Sequence, residues 1–222
     1  MKKLTGIRPT GKLHIGHYLA VIKPAMENKC DVLIADYHSY NGNIEDMVAQ
    51  LKGYGLSPII QSDIFNPKLY FELLNVTPSG DLNRMTQYKS SNEKTAHLFA
   101  YPVLMAHDLA DYDEVYIGED QLQHIELARK LLRKVNRKCP KAVICGGRVM
   151  DLKNPEFKMS KSKPETCLFL GEDPTKKIMK ANTNELGLNN LKFLYRKFVG
   201  NDNYPDSNKE LKEELIKEIK KI

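Results

Sequence analysis

Lys3-Leu4-Thr5-Gly6-Ile7-Arg8-Pro9-Thr10-Gly11-Lys12-Leu13-His14-Ile15-Gly16-His17 reads as a short strand, a tight turn and the first turn of a helix. Lys3 to Ile7 suits a strand, and Arg8-Pro9-Thr10-Gly11 ends it with turn-forming residues. A helix is predicted to begin near Ile15 and to run to about Asn28. The alternation continues. Asp31 to Asp36 has an apolar middle flanked by acids, as strands buried in parallel sheets do. A helix is predicted around Ile44 to Tyr54 and a strand at Ile59 to Ser62. Helical patterns follow at about Pro67 to Asn75, Gly80 to Tyr88 and Ala96 to Ala106. Then come a strand at Glu114 to Ile117, an amphipathic helix from Gln121 to about Asn136 and a last strand at Ala142 to Cys145. Strands alternating with helices define the α/β class and predict a Rossmann-like doubly wound parallel sheet with a short helical C-terminal extension. Ligands of such sheets sit beyond the carboxyl ends of the strands, where strand order reverses, so the turns after the strands are the places to search.

With 222 residues the chain can bury one substantial core plus an appendage. Residues 1–165 are expected to form the catalytic domain, with a helical insertion at about 66–105, and 166–222 a reduced helical C-terminal region. The formal charge of +6 suits a polyanion such as ATP or a nucleic acid, and equally suits ordinary solvated lysine faces. No apolar run approaches the ~20 residues that cross a bilayer, and Met1-Lys2-Lys3 leads into a strand instead of a signal-peptide core. The expectation is a cytoplasmic protein with no membrane association. Cys30, Cys139, Cys145 and Cys167 form no C-x-x-C pair and have no histidine at zinc-ligand spacing, so they read as reduced packing residues and no protein-held metal is expected.

Two segments carry chemistry. His14 and His17 are three residues apart at a helix start, so both rings can face a phosphate at the positive end of the helix dipole. Gly16 between them has no side chain, so an adenine can lie against its backbone, and Gly6 and Gly11 permit the close turn leading there. Far downstream, Lys158-Met159-Ser160-Lys161-Ser162 lies between Asn154-Pro155 and Lys163-Pro164, which is loop chemistry. A loop with two ammonium groups and two hydroxyls can close on a triphosphate and stabilise the charge that grows as its α-phosphorus is attacked. Taken singly, the first segment is a pair of surface histidines and the second a solvated lysine loop. Together, in this order, they describe two ends of one nucleotide site.

Lys12 to His17 and Lys158 to Ser162 resemble the two signature motifs of class I aminoacyl-tRNA synthetases. Arg84 to Lys89, Tyr101 to Asp108 and Gly118 to Leu127 are similar to segments of the bacterial-type tryptophanyl-tRNA synthetases. The resemblance extends from about Leu4 to about Ser162. It implies attack of an amino acid carboxylate on Mg-ATP to give an aminoacyl-adenylate, then transfer to tRNA, with positioning and charge stabilisation doing most of the phosphoryl chemistry. By motif position, Arg8, Pro9, Thr10, Gly16 and His17 line the ATP site with His14. Gly118, Glu119 and Asp120 meet the ribose, Val149 packs by the adenine, Lys158, Met159, Ser160, Lys161 and Ser162 cover the phosphates, and Lys89 adds a phosphate contact. Gln121 and Tyr101 match binders of the α-amino group, and Asp108 matches the acceptor of the indole N–H. Met105 supplies a polarizable wall, and Leu4 and Gly6 complete the amino acid pocket.

The resemblance further implies ATP and Mg²⁺ as cofactors, tryptophan and tRNA as partners, and a homodimer. Three departures touch the amino acid pocket. Leu4 stands where relatives often carry an aromatic residue, His107 replaces a small residue beside Asp108, and the link from Asp108 to Gln121 is slightly shortened. Segments around Asn41 to Tyr54 also look trimmed, and some sixty residues after the lysine loop are too few for a full anticodon-reading domain. The expectation is a minimal tryptophan-activating synthetase that meets mainly the acceptor end of tRNA. The alternatives are a tyrosine-specific sister enzyme, a paralogue that adenylylates a small molecule without charging tRNA, and a noncatalytic tryptophan- or RNA-binding regulator.

Overall fold

The computed structural model describes residues 1–39 and 41–222, and its chain divides into two compact units: Met1–Gly11 with Ala20–Cys145, and Lys12–Leu19 with Gly146–Ile222. The first unit is built on five parallel strands, β1 Lys3–Ile7, β2 Asp31–Ile34, β3 Pro58–Ile60, β4 Glu114–Ile117 and β5 Lys141–Ile144, in the order β3-β2-β1-β4-β5. All neighbours run parallel, so the Rossmann-like reading of the strand pattern holds. Strand order reverses between β1 and β4, and the loops that leave these two strands open at Arg8 and Gly118.

The register follows from burial. Leu4 pairs with Asp31 and Val115, Thr5 with Val32 and Tyr116, and Leu4 joins Leu33, Val103, Val115 and Ile125 in the core of this unit. Between β3 and β4 lie the helices Pro67–Asn75, Ser79–Asn83, Thr86–Ser90 and Ala96–Leu109. The single helix expected from Gly80 to Tyr88 is two, broken at Arg84-Met85. The long helix that follows is three residues longer than its sequence pattern, because Asp108 and Leu109 are buried and continue its inner face. The strand expected at Ile59 to Ser62 ends instead at Ile60. Gln61 starts the short helix Gln61–Ile64 with its side chain fully buried.

In the second unit, backbone pairing joins the histidine segment to the stretch after the lysine loop. Ile15 N–H donates to Leu168 O at 2.9 Å, Leu170 N–H donates to Leu13 O at 3.0 Å, and His14 faces Phe169 across the bridge. Helices Thr175–Met179, Glu185–Val199 and Asn208–Ile219 complete this unit. Their apolar faces, with Ile178, Leu191, Leu194, Leu211 and Leu215, share one core with Ile15, Leu19, Val149, Met159 and Leu168. The lysine loop therefore packs with the C-terminal helices, where the linear sequence groups it with the sheet. The helical run expected from Ile15 to Asn28 is present, with a π-type turn over Tyr18–Ile22 between Ile15–His17 and Lys23–Asn28. No helix among the described residues is long and apolar enough to cross a membrane.

Candidate functional site: two sets of polar residues

In the second unit, His14 caps the helix start. Its Nδ1 accepts from Gly16 N–H at 3.0 Å, and its own backbone N–H donates to His17 Nδ1 at 3.2 Å, with the two rings 3.8 Å apart. An imidazole nitrogen that accepts carries no proton, so this network assigns the hydrogen of a neutral ring to Nε2 in both histidines. Burial, then the charges of Lys161 and Lys158, pull the His14 pKa down from 6.5 to about 4. His14 is therefore a neutral donor at neutral pH, and the positive charge near it comes from the two lysines. Gly16 has a specific reason here. A Cβ at this position would stand 2.8 Å from His14 Cε1 and 3.0 Å from Nδ1, so any side chain drives the ring off the amide it accepts from.

The lysine loop is anchored at both ends by a residue the sequence reading passed over. Asp151, fully buried, accepts from the amides of Lys153 and Asn154 at 2.9 Å through Oδ1, and from Thr166 Oγ1 at 2.5 Å through Oδ2. Burial alone would raise its pKa, but these bonds and the Lys163 charge outweigh burial and hold it below the usual carboxylate range. Asn190, from the helix Glu185–Val199, grips Met150 by both its N–H and its carbonyl at 3.0 Å. Between these anchors Met159 is buried and bonds Val149 O at 3.0 Å, while Ser160 and Ser162 hydroxyls meet at 2.9 Å. Val149 is itself a core residue here, 3% exposed. Within this unit His14 lies in electrostatic reach of Lys161 and Lys158, and Ile15 shares a core with Val149 and Met159.

In the first unit, Tyr101, Met105 and Asp108 recur at one-turn and two-turn spacing on the helix Ala96–Leu109, which puts them on one face. Asp108 is 7% exposed and surrounded by donors. Its Oδ2 accepts from Gln61 Nε2 at 2.6 Å and lies 3.5 Å from His38 Nε2, and its Oδ1 is 3.1 Å from His107 Nδ1. His107 Nε2 accepts the backbone N–H of Asn66 at 2.9 Å, which puts the ring proton on Nδ1 and makes that contact a hydrogen bond to Asp108. Gln61 is oriented in turn by Tyr37 N–H on its Oε1 at 3.1 Å. Asp108 is thus held as an acceptor. The His38 ring packs on Tyr101 at 4.0 Å, and its Nδ1 is buried without a hydrogen-bond partner among the described residues.

A second chain of contacts leaves β4. Gln121 bridges Asp120 Oδ2 and His124 Nδ1, each at 3.1 Å, and the His124 ring lies 5.5 Å from Tyr101. Burial and His38 lower the His124 pKa against the opposing pull of Asp120. Gly118 lets Asp120 fold back, since a Cβ there would be 2.7 Å from Asp120 Oδ1. Burial raises the Tyr101 phenol while the Arg8 charge opposes it, which joins the loop after β1 to this group. Pro9 is buried and Thr10 N–H bonds Arg8 O at 2.8 Å. Leu4 is core and Gly6, two residues on along the same strand face, is exposed. Glu119 and Lys89 are exposed, Lys89 on the helix Thr86–Ser90, away from the hydrogen bonds that join the groups above. Gln61, His38, His107 and His124 complete the set. Gln61 and His38 could have been found by the rule that ligand residues follow the carboxyl ends of strands, here β3 and β2.

The first unit has a Rossmann-like parallel sheet, and the second holds a neutral-imidazole segment and an anchored lysine loop, features shared with the class I synthetases. The family profile described as tRNA synthetases class I (W and Y) matches residues 1–222. The chain is similar to the tryptophan–tRNA ligase of Helicobacter pylori, 37% identical over 223 aligned positions covering 83% of this chain and 68% of that protein. That alignment is longer than this chain yet includes only part of it, so the chain lacks internal segments that the relative has. Among solved structures, tryptophanyl-tRNA synthetase from Mycoplasma pneumoniae superposes with a TM-score of 0.80 at 26% identity, covering 98% of this chain and 84% of that one. The Campylobacter jejuni tryptophanyl-tRNA synthetase complexed with ADP and tryptophan gives 0.68 at 27% identity, covering 100% and 85%. The chain belongs to the tryptophan and tyrosine branch of the class I tRNA synthetases.

Proposed function

We propose that this protein activates tryptophan with ATP to tryptophanyl-adenylate and transfers the tryptophanyl group to tRNA, mainly through contacts with the acceptor end. The observation that carries the reading is Asp108, a buried carboxylate held as an acceptor by Gln61 and His107 on the helix face that also presents Tyr101 and Met105. An indole offers one donor beyond an otherwise apolar edge, and phenylalanine offers none, so a buried acceptor discriminates strongly between them. The Helicobacter pylori relative and the Mycoplasma pneumoniae structure are both named for tryptophan, which supports the same choice.

In this reading the second unit handles phosphate. His14 and His17 present Nε2–H donors, and Lys158 and Lys161 stabilise charge that builds on the departing pyrophosphate. In the first unit Gly118 to Asp120 meet the ribose, and Gln121 and Tyr101 meet the α-amino group. Magnesium belongs with the substrate. Mg²⁺ is commonly held by substrate phosphates with retained waters, and it enters this reading with ATP. A homodimer in the cytoplasm is part of the proposal, and the exposed Phe71 and Leu74, one helical turn apart on Pro67–Asn75, supply an apolar face suited to a second copy.

Exchange of labelled pyrophosphate into ATP, run with each amino acid in turn, tests the reading. Tryptophan is expected to support exchange best. Exchange with tyrosine as the better substrate moves the protein to the other branch of its family, and exchange with no amino acid removes the activity.

A further inference from the structure

The second unit also contains a cleft of about 260 Å³ that the adenylation chemistry does not use. Lys153, Lys176, Lys177 and Lys180 line it, against one carboxylate, Glu165. Lys177 is committed elsewhere, donating to Cys167 O at 2.8 Å and pairing with Glu172 at 3.2 Å. Lys153, Lys176, Lys180 and Glu165 form no ion pair among the described residues. Three unpaired ammonium groups therefore converge on one depression. All three are exposed, so the depression presents a locally positive surface complementary to an anion.

The backbone that carries these lysines is held by hydrogen bonds on both sides of the cleft. Lys153 N–H and Thr166 Oγ1 both bind the buried Asp151, and Lys153 O accepts from Asn182 Nδ2 at 3.1 Å. The helix Thr175–Met179 carries Lys176 and is followed by Lys180. Its C-terminal end is pinned by the buried Lys212, whose Nζ donates to Met179 O at 3.1 Å and Ala181 O at 2.8 Å. A volume of 260 Å³ is below the usual range for a small-molecule site, about 300–1,000 Å³, and accommodates a phosphate group with its flanking sugar edge. Lysine supplies point charges without the planar fork of arginine, which suits contact with a phosphodiester chain irrespective of base sequence.

We infer that this cleft is a docking site for the phosphodiester backbone of RNA, separate from the residues that handle ATP. The inference rests on the proposed tRNA substrate and names the surface that receives it. Lys153 and Glu165-Thr166 lie just before and just after the segment Lys158 to Ser162, so RNA held there bears on the base of the lysine loop.

The test is the full chain with Lys153→Gln, Lys176→Gln and Lys180→Gln combined, compared with wild type in tRNA binding across a potassium chloride series and in pyrophosphate exchange without tRNA. The expected result is exchange within about twofold of wild type and tRNA affinity about tenfold weaker near 0.1 M salt. The slope of log affinity against log salt should become shallower by about two, as follows from losing two to three phosphate contacts. Unchanged tRNA affinity and slope overturn the inference. So does loss of tripolyphosphate binding with tRNA binding intact, because that assigns the cleft to a free anion. A wild type that binds tRNA but catalyses no exchange counts against the proposed activity alone and leaves the docking comparison readable.

Discussion

Lys161→Ala is expected to slow adenylate formation by ~10²–10³-fold, the usual cost of deleting one preorganised group that meets charge developing in a transition state. The Michaelis constant for tryptophan should change little, because the lysine loop is assigned to the phosphates and not to the amino acid side chain. Lys161 and Lys158 already act electrostatically on His14, so their charge is delivered where the imidazole donors stand. Lys161→Arg should recover only part of the rate, since guanidinium differs from ammonium in shape and hydration. Rapid-quench measurement of adenylate formation checks this, and a wild-type rate in Lys161→Ala would remove the loop from the chemistry.

Asp108→Ala is expected to have the second large effect, lowering the preference for tryptophan over phenylalanine by ~10²-fold or more, because the acceptor that penalises a ligand without a donor is gone. The same change orphans Gln61 Nε2 and His107 Nδ1–H, each a buried donor. Unsatisfied buried donors cost roughly 1–3 kcal/mol apiece, so a melting temperature must accompany the kinetics. His107→Ala separates the two contributions. It keeps the carboxylate but removes the relay from Asn66 N–H through His107 to Oδ1, and should lower selectivity by about tenfold, the worth of one hydrogen bond to a charged group. Competition between tryptophan and phenylalanine in pyrophosphate exchange reads both variants. Equal selectivity in all three proteins would show that Asp108 does not read the side chain.

Much of the architecture was legible because it is local. Apolar runs bounded by acids and turn residues mark β1, β2 and β4, and the βαβ alternation fixes a parallel sheet whose order reverses between β1 and β4. Boundaries failed where tertiary roles override pattern. Ile59 to Ser62 reads as strand throughout, but the strand ends at Ile60 and Gln61 starts a helix, its buried amide bonded to Asp108, 47 residues away. The two signature motifs were visible as residue types and read as two ends of one site. The backbone pairing of Leu13 and Ile15 with Leu168 and Leu170, which groups them in one unit, is a register that no local signal carries. Asp151 was invisible for the same reason, being one acid among many until its two oxygens are seen to close the loop on itself. Gly16 was singled out for the space it leaves for a ligand. The structure gives it a nearer task, room for the His14 ring to reach the amide beside it.

The central claim is that the histidine segment and the lysine loop act on the same phosphates. His14 reports on it directly, because its pKa is lowered by burial and then by Lys161 and Lys158. Titration of the His14 ring by NMR in wild type and in Lys158→Gln with Lys161→Gln measures that coupling. The account predicts a midpoint near 4 in wild type and a clear rise toward 6.5 in the double variant, incomplete because burial remains. A midpoint that is the same in both proteins would contradict it.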